Sequence, residues 1–225
     1  MNGTATTSPP RATTSTADRP GLRAAPLLAV AVGVGLAWGA ATSGLQTVLP
    51  WPFAGLANAV GPWVAPAFVV GALGRRPWAA ALAGVLVCFG EVAGYYVTSD
   101  LRGFGVNPFW VVLWAGTGVL GGPVLGLAGW AWRRAASLRL AALGAALLGG
   151  VFLAEGAVTY AYYLGYVGDA VVFCTLGALL VAVLGATAGA ARSARARGVG
   201  AAAAWLLLVL PLGVAGELVL HSVLS

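Results

Sequence analysis

The sequence has very few charged residues. They make up 8% of the 225-residue chain, and hydrophobic residues make up 60%, whereas a soluble domain is about 25% charged. The mean hydropathy is +0.91. So few charges cannot cover a water-exposed surface, which excludes a soluble domain and indicates a protein that faces the lipid bilayer.

Metal ligands and catalytic motifs are also scarce. The chain has one histidine, no lysine and two cysteines, Cys88 and Cys174, which lie inside apolar runs without CxxC spacing. We therefore expect no metal site and interpret both cysteines as small buried hydrophobic side chains. No Walker loop, HExxH or GxSxG motif is present, so we expect neither an enzyme nor a cofactor.

Seven apolar runs follow a polar N-terminal segment rich in Thr, Ser, Pro and Arg. Residues 1–25 are predicted to be a disordered cytoplasmic tail, and residues 26–225 a single transmembrane helical domain. The runs are 27–48, 60–74, 77–97, 108–132, 138–164, 169–191 and 201–221. A helix needs about 20 residues to span a bilayer, and all but the second run are long enough. The fold class is thus all-α, a polytopic bundle of about seven spans, or six if the second is re-entrant.

The second run is short and contains Pro62 and Pro66. Irregular backbone at membrane depth is tolerated only where it is buried in protein or lines a cavity. We therefore predict that residues 51–66 are an irregular entry into the membrane. The basic pair Arg75 and Arg76 follows the run directly, and this favours a chain that has crossed the bilayer.

The arginines predict the orientation. Eleven of the twelve lie before the first run or beside the gaps after the second, fourth and sixth runs, and only Arg102 lies elsewhere. Since basic residues favour the cytoplasmic side, the N-terminus is predicted inside and the C-terminus outside a bacterial cell membrane. The net charge of +6 is therefore a topology signal, and no nucleic-acid partner is expected. A signal peptide cleaved near residues 37–41 is the alternative interpretation of the first run.

Small residues form a stripe at helical spacing in the first run: Ala29, Gly33, Ala37 and Ala41, with Gly35, Gly39 and Ser43 alongside. Such stripes let helices approach closely in a membrane. The stripe is explained either by packing within the chain or by a docking face for a membrane partner.

Three acidic residues lie inside apolar runs. Burying an ionisable group in a membrane costs free energy, so each of the three is a candidate functional residue. Glu91, Glu155 and Glu217 occupy odd-numbered spans, roughly 6–14 Å below the outer interface at 1.5 Å per residue. Gln46 lies at a comparable depth in the first span. Asp100 and Asp169 are assigned to outer loops. The sequence predicts one polar layer in the outer half of the bundle.

Each glutamate has a polar residue one helical turn outward, on the same face. These residues are Tyr95, Thr159 and His221. Aromatic residues are frequent at the same depth: Trp51, Trp63, Tyr96, Trp110, Tyr160, Tyr162, Tyr163 and Tyr166. Carboxylates with aromatic faces suit a small cationic or aromatic solute. The alternatives are interfacial anchoring by the aromatics and helix bridging by the glutamates.

Two stretches, LQTVLPWPFAGLANAVGPWVAPAFVVGALGRRP and GEVAGYYVTSDLRGFGVNPFWVVLWAGTGVLGGPVLGLAGWAWRR, resemble a family of small actinobacterial membrane proteins without established activity. The resemblance covers under half of the chain and implies a membrane location. The layout more distantly resembles the S components of energy-coupling-factor vitamin transporters. That resemblance implies an outer binding site and a docking face on the first helix, although those proteins usually have six helices.

These patterns favour a membrane-embedded binding protein or transporter component for a small solute. The predicted site comprises Gln46, Glu91, Tyr95, Glu155, Thr159 and Glu217. The alternative is a structural or assembly protein that transports nothing. A membrane enzyme acting on lipid is a third hypothesis.

Overall fold

The apolar runs fold into helices. The computed structural model describes residues 21–188 and 195–224. The α-helices in this part of the chain are α1 (Ala24–Leu45), α2 (Val60–Leu73), α3 (Pro77–Leu101), α4 (Pro108–Arg134), α5 (Leu138–Glu155), α6 (Val167–Thr187) and α7 (Arg195–Leu224). A 3₁₀ helix (Ala54–Ala57) precedes α2, and a π-helical segment (Gly156–Tyr163) continues α5. The predicted all-α transmembrane bundle is confirmed.

Local chemistry sets several helix ends. Pro77 and Pro108 occupy the first position of α3 and α4, where a missing N–H costs nothing. Asn107 caps α4, and its Oδ1 atom accepts a hydrogen bond from the N–H of Phe109 at 2.9 Å. Gly103 follows α3 with φ +80°, a conformation that only glycine adopts without strain.

Six of the described helices are long and apolar enough to cross a membrane, when α5 is counted with its π-helical continuation. The exception is α2, whose 14 residues rise only about 21 Å. The chain reaches the start of α2 through residues 46–59, which contain only the short 3₁₀ helix. The predicted irregular entry is therefore present, but the prediction placed its end too late. Residues 60–66 are helical although Pro66 lies inside α2. Pro62 lies in the first turn, where proline is tolerated, and the Pro62 carbonyl, which Pro66 cannot pair with, accepts a hydrogen bond from Trp38 Nε1 at 3.1 Å.

Successive helices run in opposite directions, so alternate helices are parallel. Leu22, just before α1, pairs with Gly74, just after α2, and Trp205 near the start of α7 donates to the carbonyl of Arg139 in α5 at 2.9 Å. At the other end Arg102 donates to the Ser43 carbonyl and to Thr47 Oγ1, which joins the ends of α3 and α1. We call one end of the bundle the Arg-rich end. It holds Arg23, Arg75, Arg76, Arg133, Arg134, Arg139, Arg195 and Arg197.

Glycines allow the closest helix contacts. On α1, Gly35 and Gly39 face α3, and a Cβ atom on Gly39 would collide with the backbone carbonyl of Glu91. On α3, Gly84 meets the backbone of Gly122 on α4 in the same way. Backbones packed this closely leave no room for lipid between the helices, so α1, α3 and α4 form a continuous wall.

The predicted disordered tail falls mostly outside the described residues, as do Arg11, Arg19, Asp18 and Arg192. The last residues of the predicted tail, 21–25, are held against the bundle. The N–H of Leu22 donates to the carbonyl of Leu73 at 2.8 Å, and the N–H of Arg75 donates to the carbonyl of Leu22 at 3.2 Å. Residues 21–25 are therefore part of the folded bundle and not of a disordered tail.

Candidate functional site

A cavity of about 640 Å³ lies in the half of the bundle farther from the Arg-rich end. Helices α3 and α4 form one wall, α5 and α7 form the other, and the start of α2 closes the back. Most of the lining is apolar. The polar and aromatic lining residues are Asn58, Trp63, Glu91, Tyr95, Tyr96, Trp110, Trp114, Thr117 and Glu217.

Glu91 is the most deeply buried polar group of the cavity. It projects from α3, lines the cavity and is only 1% exposed. Its Oε1 atom has no hydrogen-bond partner among the described residues. An anionic carboxylate buried without a partner costs several kcal/mol, a cost that a cation bound beside it would offset.

Aromatic rings form the wall beside Glu91. The rings of Trp63 and Tyr95 meet edge to face with centroids 5.3 Å apart, and those of Tyr95 and Tyr96 do so at 5.0 Å. The hydroxyl of Tyr95 donates to Gln46 Oε1 at 2.8 Å. Gln46 therefore does not line the cavity as the sequence predicted, but it fixes the orientation of a ring that does.

Glu217 belongs to a small polar cluster between α7 and the π-helical segment. The hydroxyl of Thr159 donates to Glu217 Oε2 at 2.7 Å and lies 2.9 Å from His221 Nε2. The ring of His221 stacks on Tyr163 with centroids 4.0 Å apart. Glu217 lines the cavity and is 7% exposed, whereas Thr159 lies behind it and orients its carboxylate.

Glu155 has a different position from the one predicted. Its two carboxylate oxygens accept the N–H groups of Val60 and Gly61 at 2.6 and 2.7 Å, and it does not line the cavity. The first N–H groups of a helix have no partner within the helix, and at the start of α2 the Glu155 carboxylate supplies that partner. Glu155 therefore caps α2, so its carboxylate is not free to bind a ligand.

The polar layer predicted from the sequence is therefore divided. Glu91, Tyr95 and Glu217 come together in the cavity, whereas Gln46, Glu155 and Thr159 hold neighbouring elements in place. Of the predicted aromatic residues, Trp63, Tyr96 and Trp110 line the cavity. The others lie elsewhere: Trp51, Tyr160, Tyr162, Tyr163 and Tyr166.

Several residues of the cavity and its surroundings were not predicted from the sequence. Asp169, predicted in an outer loop, is 3% exposed in the first turn of α6, because that helix begins two residues earlier at Val167. A carboxylate is favourable there since the helix dipole is positive at its N-terminus. Asn58, Trp114 and Thr117 line the cavity. The only signal for them was their place in or beside apolar runs.

The lining of the cavity is acidic and aromatic in character. Among the described residues no group of three or more His, Cys, Asp and Glu side chains is placed to hold a metal ion. Two carboxylates and an aromatic wall instead provide charge and π faces for a cation with an apolar body.

Comparison with proteins of known function gives no match. Comparison with solved structures gives none either. A family model described as a family of unknown function, DUF6518, matches residues 18–221. This match includes every helix from α1 to α6 and nearly all of α7. The chain therefore belongs to the DUF6518 family of unknown function.

Proposed function

We propose that this protein is a membrane-embedded binding protein, or the binding component of a transporter, for a small solute that carries a positive charge and an apolar or aromatic body. The site is the cavity that Glu91 and Glu217 line. The arginine distribution favours a location in the outer half of a bacterial cell membrane. Catalysis forms no part of the proposal.

Glu91 is the observation that carries the proposal. Glu155 is neutralised in part by the N-terminus of α2, and Glu217 accepts a hydrogen bond from Thr159, whereas Glu91 Oε1 has no partner within the described chain. No helix-bridging hydrogen bond is made by this atom in the described chain. A cation bound in the cavity beside Glu91 would balance the charge of its carboxylate.

Cavity size and lining support a small organic ligand. The volume of about 640 Å³ lies within the roughly 300–1,000 Å³ of typical small-molecule sites. Trp63 and Tyr95 place ring faces and edges within the same space. Cations bind such rings with about 0.5–2 kcal/mol, more strongly where water is excluded.

Phenyltrimethylammonium is a suitable probe, because it combines a fixed charge with one ring. Its binding to the full chain in lipid nanodiscs should weaken about 10- to 100-fold in Glu91→Gln, which corresponds to about 1.4–2.8 kcal/mol. Asp100→Asn is the matched control, since it removes an exposed carboxylate from the end of the same helix. Equal affinities of the wild type and Glu91→Gln would refute the site and favour a structural or assembly role.

A second observation favours a transporter component over an isolated binder. Ala29, Gly33, Ala37 and Ala41 are exposed along one side of α1, while Gly35 and Gly39 pack inside against α3. An outward face of small residues suits docking to a membrane partner, which is the role that the resemblance of the sequence to S components would imply. Co-purification with a membrane subunit that Gly33→Leu abolishes would support this role, and unchanged association would contradict it.

A further inference from the structure

The side of the cavity between α4 and α7 is open. Helix α4 packs against α2, α3 and α5, whereas α7 packs against α5, α6 and the π-helical segment. Both helices line the cavity, yet neither is a principal packing partner of the other. The cavity therefore has a mouth between α4 and α7.

Two glycines mark this mouth. Gly121 on α4 and Gly216 on α7 line the cavity, and a Cβ atom added to either would meet nothing within 4 Å. Gly121 lies at the midpoint of α4, about 20 Å from each end of the helix. The mouth is thus at the depth of the hydrocarbon core and opens sideways into lipid.

Apolar side chains flank the opening. Leu120 on α4 is 75% exposed and Leu212 on α7 is 66% exposed, and in a bilayer these surfaces contact acyl chains. A solute that enters only from water has no use for such an opening. An amphiphile can place its head inside the cavity and leave its hydrocarbon chain between the helices.

We propose that the ligand is a cationic amphiphile that enters from the bilayer. Its charged head lies between Glu91 and Glu217, and its chain leaves through the mouth beside Gly121 and Gly216. The proposal rests on the proposed function, because it assigns the class of ligand that binds in the same cavity.

The test compares a short cation with a chain-bearing one. Hexadecyltrimethylammonium should displace bound phenyltrimethylammonium from the wild type. Its concentration is expressed per lipid molecule, and its partitioning into the bilayer is corrected with empty nanodiscs. Gly121→Leu and Gly216→Leu should weaken this displacement at least about 10-fold more than they weaken the binding of phenyltrimethylammonium itself. Both substitutions extend into open space, so folding should be unaffected.

Gly116→Leu is the matched control. Gly116 also lies on α4 and faces open space, but it does not line the cavity, so both probes should bind this variant like the wild type. The short cation could bind in a Glu91-dependent way while the long one fails to displace it or the mouth substitutions have no effect. That result overturns only the amphiphile proposal. Absence of binding of the short cation overturns the proposed function and this inference together.

Discussion

Replacing Glu155 tests the cap on α2. Glu155→Ala removes both acceptors from the N–H groups of Val60 and Gly61, which lie 2.6 and 2.7 Å from the carboxylate oxygens. The residue is 2% exposed and Gly61 is buried, so the N–H of Gly61 is left without an acceptor in the described structure. Glu155→Gln keeps the shape of the side chain, but its amide can accept only one of the two N–H groups and presents donors to the other.

The magnitude follows from the two hydrogen bonds. A hydrogen bond to a charged group contributes about 1.5–3 kcal/mol, and interhelical bonds in membranes are nearer the low end because unfolded helices find other partners. We expect a loss of about 2–4 kcal/mol for the alanine variant and about half of that for the glutamine variant. At 2–4 °C per kcal/mol for a chain of this size, the alanine variant should melt about 4–16 °C lower.

Thermal unfolding in a mild detergent, followed by tryptophan fluorescence, measures the effect. Glu91→Gln is the matched control, since it makes the same substitution at an equally buried glutamate whose Oε1 atom has no hydrogen-bond partner in the described chain. The control should melt at or above the wild-type temperature. Equal melting temperatures for Glu155→Ala and the wild type would refute the capping role. Equal decreases in melting temperature for Glu155→Gln and Glu91→Gln would show that the destabilisation comes from burial alone.

Three further results are expected. Gly39→Ala should lose about 1–3 kcal/mol of stability, measured by unfolding in SDS, because its Cβ atom overpacks against the Glu91 carbonyl. Gly33→Ala on the open side of α1 should be neutral or slightly more stable in that assay, and similar losses in both variants would contradict the packing. Thr159→Val removes the hydrogen bond to Glu217, which should lower the free energy of unfolding by about 1 kcal/mol and the melting temperature by about 2–4 °C. An unchanged melting temperature would argue against that bond. In a cysteine-free background in intact cells, Gly105→Cys should react with an impermeant maleimide and Ala136→Cys should not; the reverse pattern would invert the topology.

Much of the fold was predictable because long apolar runs and arginine placement depend only on local sequence. An irregular start of the second run was predicted because the run is short and contains two prolines, and an irregular segment followed by a helix of 14 residues is found there. The end of the irregular entry was misplaced because a proline near a helix start is compatible with both an irregular segment and a first turn.

The site was only partly predictable. The depth of each glutamate follows from its position in a run, but the direction of its side chain does not, because alanine and glycine blur the distinction between the inner and lipid faces. Glu155 and Val60 are 95 residues apart in sequence, so no local pattern links them. A helix that begins within the membrane nevertheless requires an acceptor for its first N–H groups, and this requirement could have identified a buried carboxylate as the cap.

The two walls of the cavity differ in how firmly they are held. The backbone of Glu91 is pressed against Gly39 of α1, and α3 is pressed against α4 by paired glycines. Helix α7 has most of its surface exposed, with only 11% of its apolar segment buried. Under the proposed function, ligand exchange by movement of α7 would therefore disrupt the fewest helix contacts, so that Glu91 on α3 would stay in place while Glu217 moves with α7.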